Sequence, residues 1–280
     1  MKTYIGVMLA ATCMVAVAAA AQEKKPLVEA RGNVVPVPLP PGGPPPRLAD
    51  GHVDLSGVWF SGPTGRANAW SILRSGPGQG QGPGRQGGQG QTNREDPIPY
   101  KPEIAAKINN MTEAERQLRS SQVTCRPLGV PGMFTNNPYP HQIVMKPGLF
   151  VHLIESNNNW RTVHTDGRPH KGKEDLEPLF NGDETAHWEG DTLVIDSISI
   201  DESNWYSDSL HVIERLRRPS LNYLEYQYTI EDPKVLTKPW TSSWRQYSLG
   251  SEDLTENFCT NNENVEQLEK LREIESSKSK

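Results

Sequence analysis

From residue 141 onward the chain is written in short runs of alternating apolar and polar residues. HQIVMKP and LFVHLIE are two such runs, joined through Pro147-Gly148, and a turn pair between two runs of this kind favours an antiparallel hairpin. Further strands are expected at 160–164, 186–189, 192–199, 209–217, 223–230 and 241–249. Upstream, DLSGVWF carries a short strand around 55–60, with Trp59 as a core or barrel-end residue. Helical spacing occurs at two places. Ile104, Ile108 and Met111 fall on one stripe, followed by Thr112 and Glu115 at the separation of a capping box. At 262–274, Val265, Leu268 and Leu271 lie towards one side while Glu266 and Lys270 can support each other. The strands lack the regular intervening helices of a parallel α/β domain. The pattern therefore predicts a mainly β fold, an antiparallel meander curled into a barrel or half-barrel with short peripheral helices.

The ends of the chain change this picture only by adding a leader and an arm. Lys2 precedes an apolar run over 4–21 that closes on Ala19-Ala20-Ala21, the layout of a secretory signal cleaved after Ala21. Nothing stops transfer after that run, so no transmembrane anchor is expected in the mature chain, and the location implied is periplasmic or secreted. The expected organisation is a signal peptide at 1–21, a proline-rich arm at 22–50, a β-rich domain at 51–262 and a C-terminal helix and tail at 263–280. Within the domain, the Gly/Gln-rich stretch 75–91 has no apolar face and is expected to be a flexible loop. Cys125 and Cys259 remain after cleavage; in an oxidising compartment a disulfide between them is the first reading, two separate buried thiols the other. The formal charge of −5 provides no broad attraction for nucleic acid.

Chemistry concentrates between residues 160 and 218. WRTVHTDGRPH places Arg161, His164, Asp166, Arg168 and His170 within a short span. In a strand Arg161 and His164 point to opposite faces, while Asp166-Gly167 can turn the chain and bring a histidine to Asp166. Histidine exchanges a proton near neutral pH and a carboxylate can orient it; a salt-bridged loop closing two strands accounts for the same residues. HWEGDTLVID reads as a hairpin turning at Glu189-Gly190-Asp191, with His187 a ligand or a solvent-facing residue. SLHVIERLRR sets His211, Ile213 and Arg215 on one face and Val212, Glu214 and Leu216 on the other. A barrel accepts polar groups inside only if they pair or meet a ligand. Whichever of His211 and Glu214 faces inward is thus a site residue; His211 is preferred, and Glu214 is expected to pair with an arginine. Specific nucleophile, phosphate-loop, dinucleotide and zinc-protease motifs do not occur. No cofactor is predicted, although His164, Asp166, His170 and His211 include atoms suited to a divalent metal.

Taken together, DGHVDLSGVW, DGRPH, HWEGDTLVID, SLHVIERLRR and DPKVLTKPW resemble a large group of exported bacterial proteins. The resemblance spans roughly residues 50–262 and implies a lipocalin-like β architecture. The chain departs from the group at His164, where a tyrosine is common, and at Gly182-Asp183-Glu184, where a glycine–histidine–serine-like stretch is common. Three functions follow from these features. The first is an exported enzyme that performs nonredox acid–base chemistry on a small organic molecule, as a lyase or isomerase. His164 or His211 would remove a proton, Asp166 orient a histidine, His170 return the proton, and Arg161 stabilise negative charge. The second is a noncatalytic barrel that binds a small molecule through Trp160, Trp188, Trp244, Tyr226 and Glu214. The third is an envelope scaffold. A metal-dependent hydrolase is the variant of the first in which the site activates water.

Overall fold

A computed structural model of the chain describes residues 27–28, 34–35, 38–61, 96–135, 139–201, 206–259, 269–274 and 276–277. The expected signal peptide and the Gly/Gln stretch lie outside the described residues. The chain divides into two compact units at Val37 and Pro38. Within the first, Leu27–Val28 (β1) and Val34–Val35 (β2) pair antiparallel. The second carries the rest of the fold.

The alternating runs become strands close to where the pattern places them. They are β3 (Gly57–Ser61), β4 (His141–Lys146), β5 (Leu149–Ile154), β6 (Asn159–His164), β7 (Asp183–Glu189), β8 (Thr192–Ile198), β9 (His211–Ser220), β10 (Tyr223–Glu231), β11 (Trp240–Thr241) and β12 (Arg245–Leu249). The single run expected at 241–249 is two strands, because Ser242 leaves the ladder: its Oγ accepts from Tyr228 N at 3.1 Å and its own N–H donates to Tyr228 O at 2.8 Å. Nine strands form one antiparallel path in the order β6-β5-β4-β3-β12-β10-β9-β8-β7, and β11 adds to β10. The result is a mainly β, near-closed antiparallel barrel with short peripheral helices, an architecture of the lipocalin-like kind.

An odd strand number dictates where the barrel is weakest. Alternating directions around nine strands leave the two ends of the path, β6 and β7, running the same way. A parallel pair cannot be joined by a tight turn and needs a long crossover. Residues 165–182 provide it, and this crossover contains DGRPH. β6 and β7 come into contact without a ladder between them, so the seam is closed by other means. Gly167 N, just past β6, donates to Ala186 O of β7 at 2.9 Å, while Thr165 N to Gly148 O at 3.1 Å and a parallel bridge between Leu179 and Ile200 fasten the two ends of the crossover to the neighbouring chain. Gly182 ends the crossover at φ +76°; a Cβ there would lie 2.3 Å from Ile198 O, so both conformation and space require glycine.

Among the described residues, four short helices precede β4: α1 (Pro102–Asn109), α2 (Glu113–Leu118), α3 (Ser121–Thr124) and α4 (Gly132–Thr135). The capping box at the start of α2 forms as the spacing predicts, with Glu115 N donating to Thr112 Oγ1 and Thr112 N donating to Glu115 Oε2. Cys125 and Cys259 form a disulfide with Cα atoms 5.4 Å apart, tying the segment before α4 to the chain after β12. Of the C-terminal helix, 269–274 is described and helical. Trp59 is fully buried and donates its indole N–H to Leu55 O at 3.0 Å. Among the described residues no helix is long and apolar enough to cross a membrane.

Candidate functional site

The inner wall of the barrel combines an apolar core with one connected set of polar side chains. Alternation along each strand selects them. His141 shares the buried face of β4 with Ile143 and Met145, and His152 shares that of β5 with Phe150 and Ile154. Arg161 and Val163 face in from β6, and Val212, Glu214 and Leu216 from β9. Register places Arg161 directly across from His152, and Ser197 across from Glu184.

Arg161 is the centre of this set. Its Nη1 donates to Glu184 Oε1 at 2.7 Å and to Glu214 Oε2 at 2.6 Å, and its Nη2 donates to Glu214 Oε1 at 3.1 Å. Tyr226 donates its hydroxyl to the same Glu214 Oε1 at 2.8 Å. The Arg161–Glu184 pair joins β6 to β7, so it spans the seam that has no strand ladder. Burial opposes the guanidinium's charge, but Glu214 and Glu184 outweigh it and hold the proton more firmly than usual. Glu184 has the opposite balance. Burial dominates, Arg161 only partly offsets it, and the charge of Glu214 adds to the cost, so its carboxyl is pushed up from 4.5 to about 7.

The hydrogen-bond chain continues from Arg161 through two imidazoles. Arg161 Nε donates to His152 Nδ1 at 3.3 Å, and His152 Nε2 lies 3.0 Å from His141 Nδ1. Burial, and then the nearby guanidinium, lower both histidines, His141 to about 3 and His152 well below its ordinary value. Both are therefore neutral at physiological pH. Neutral imidazole has one donor and one acceptor, so the arginine fixes both tautomers. His152 accepts at Nδ1 and donates from Nε2; His141 accepts at Nδ1 and carries its proton on Nε2. Phe134, held on α4, covers this chain with ring centroids 4.3 Å from His152, 4.8 Å from His141 and 4.3 Å from Tyr226. Tyr247 anchors that plug by donating its hydroxyl to Phe134 O at 2.6 Å.

A second polar line runs along the outside of the barrel. His170, from the crossover, lies 2.8 Å from Asp183 Oδ2 through Nδ1 and 2.9 Å from Asp196 Oδ1 through Nε2. His211 Nε2 meets the same Asp196 oxygen at 2.9 Å, and its Nδ1 lies 3.3 Å from Glu231 Oε2. The hydrogen bond to Asp196 raises the His211 pKa above its ordinary value. These half-exposed groups fasten the crossover to β7 and β8. Among the described residues no group of three or more His, Cys, Asp or Glu side chains is arranged to hold a metal ion.

The residues singled out in the sequence thus divide among three places. Arg161, Glu214 and Tyr226 meet inside the barrel. His170 and His211 meet outside it through Asp196. His164 is exposed on the outer face of β6, and Asp166 is paired with Arg168 at the surface, its Oδ2 accepting from Nη2 at 2.6 Å. The expected approach of His164 or His170 to Asp166 is therefore not seen: Asp166 is held by Arg168, and His170 lies on Asp183 and Asp196. Of the two alternatives on β9, Glu214 faces inward and His211 outward, because Val212, Glu214 and Leu216 occupy the buried face. Trp160 stands 65 % exposed; Trp188 stacks on His52 with centroids 4.6 Å apart, and Trp244 lies under the Arg217 guanidinium at 4.0 Å. His187 is exposed, 3.4 Å from Glu189. His141, His152, Glu184 and Phe134 belong to the interior site but were not among the residues singled out. The signal for the first two is a histidine at alternate positions of otherwise apolar faces, HxIxM and FxHxI.

No family model, no curated protein and no solved structure shows significant similarity to the chain.

Proposed function

We propose that this protein is exported, takes a small organic molecule into the barrel, and moves a proton on it by nonredox acid–base chemistry of the lyase or isomerase kind. The observation that carries the reading is Glu184: a buried carboxyl with its pKa at about 7, next to a fixed guanidinium. A general acid–base works best when its pKa lies near the operating pH. Glu184 takes or returns the proton, Arg161, itself held by Glu214, fixes its orientation, and neutral His141 offers an N–H to a substrate oxygen. Export is supported by the leader-like start and by the DLSGVW, DGRPH and WEGDTLV resemblance.

Proton exchange tests this without naming the substrate. The full chain is incubated in D2O with a panel of small carbonyl compounds, and deuterium entering the carbon next to the carbonyl is read by NMR. Incorporation above the buffer rate is expected, falling about 10²- to 10⁴-fold in Glu184→Gln. Equal incorporation by the parent and the variant contradicts the role of Glu184. A second reading, noncatalytic binding, is favoured by one specific observation: Arg161 already has Glu184, Glu214 and His152 on its three nitrogens. Under that reading a compound binds and no deuterium enters.

A further inference from the structure

Two polar atoms on the inner wall have no hydrogen-bond partner among the described residues: His141 Nε2 and Ser197 Oγ, each in a residue of zero exposure. The first is a donor by necessity, because the chain of hydrogen bonds from Arg161 through His152 puts the His141 proton on Nε2. The second faces the wall beside Glu184, directly across the β7–β8 ladder. A buried unpaired donor is costly, and native interiors rarely keep one without something to receive it.

The charge around these atoms narrows what that something is. Arg161 is the cation hydrogen-bonded into this set, and two carboxylates lie on it, while Arg218, buried on the same face of β9, is taken up by the backbone oxygens of Asp54, Ser56 and Leu221. His141 and His152 add nothing, since burial and the guanidinium keep both neutral. The set sums to zero when Glu184 is protonated and to −1 when it is ionised. Arg161, expected to stabilise negative charge on a substrate, faces Glu184 and Glu214.

We infer that the barrel interior selects an uncharged molecule bearing a hydrogen-bond acceptor, such as a ketone, ester or amide, and excludes carboxylates and phosphates, because the buried inner-wall atoms left without a partner are an N–H and a hydroxyl while the Arg161 cation is already matched. The inference rests on the proposed function and names the substrate class of the same site. An anion entering beside Glu214 meets like charge while Arg161 is already engaged, and discrimination of about a hundredfold or more follows.

The test uses matched pairs on one skeleton: acetophenone, benzamide and methyl benzoate against benzoate and phenyl phosphate. Affinities for the full chain are measured at pH 7 by titration, with the imidazole nitrogens followed by NMR in the same samples. The expected result is binding of the uncharged members with a shift at His141 Nε2, at least about a hundredfold weaker binding of the anions, and about a tenfold loss for the uncharged members in His141→Phe. If that variant does not fold, the His141 signal of the parent protein decides. Anions that bind as tightly as the uncharged members overturn the charge selection and leave the interior site standing. Uncharged members that bind without moving His141 overturn the assignment of the donor. If no compound binds and no imidazole signal moves, both the selection and the interior-ligand reading fall.

Discussion

Replacing Glu184 by glutamine separates the cost of its charge from the shape of its side chain. In the folded protein the carboxyl sits at about 7 instead of 4.5. Between those values the folded state keeps a proton that the unfolded chain has lost, so wild-type stability falls as pH rises through that window. A displacement of that size corresponds to roughly 3 kcal/mol once Glu184 is fully ionised. Glutamine keeps an oxygen for Arg161 Nη1 and has no charge to bury. The stability gap between Glu184→Gln and the parent should therefore be flat below pH 4.5, move by roughly 3 kcal/mol in the variant's favour up to about pH 7, and be flat again above it. His141, whose folded pKa is depressed to about 3, makes both proteins gain stability as pH rises from about 3 towards 6.5, and it cancels in the difference. Urea unfolding at half-unit pH steps gives the gap directly. With a slope of about 2–3 kcal/mol/M, the midpoints separate by about 1–1.5 M across the window. A gap that does not change with pH, or one that moves in the parent's favour, refutes the reasoning; the latter would mean that Arg161 wins over burial.

Two other perturbations probe different parts of the fold. Asp196→Asn removes the carboxylate shared by His170 and His211 and should cost about 1–2 kcal/mol at pH 6. Because the folded pKa of His211 is raised, that part of the stability is fully present below 6.5 and is lost as pH rises through the raised value. Urea midpoints for the variant and parent should converge accordingly, and a constant separation contradicts the assignment. Reducing Cys125–Cys259, which closes a loop with a sequence separation of 134, should release up to about 5 kcal/mol of chain entropy to the unfolded state. Thermal melts with and without reductant measure it, and an unchanged Tm contradicts the staple.

The barrel was legible because its signal is local. Alternation in HQIVMK, LFVHLI and the runs after them places strand ends within about three residues, and Thr112 with Glu115 marks a helix start. The seam was not legible. It depends on counting strands around a closed ring, and its two edges, β6 and β7, are joined by side chains from positions 161 and 184. The site was half legible for the same reason. Arg161, Glu214 and Tyr226 lie in runs whose polar content drew notice, and the expected arginine partner of Glu214 proved to be Arg161. His164 and Asp166 drew notice by clustering in sequence, yet one residue of alternation separates the inner wall from solvent. His141 and His152 gave the more useful signal, a single polar ring in an apolar stripe, on strands that looked like ordinary core.

A carboxyl that exchanges its proton near neutral pH inside the barrel underlies all of the proposed chemistry. The most direct measurement is a titration of the side-chain carboxyl carbon of Glu184 by ¹³C NMR in the full chain, assigned by its absence in Glu184→Gln. The predicted result is a single inflection near pH 7; an inflection at or below the ordinary glutamate value of about 4.3 contradicts it.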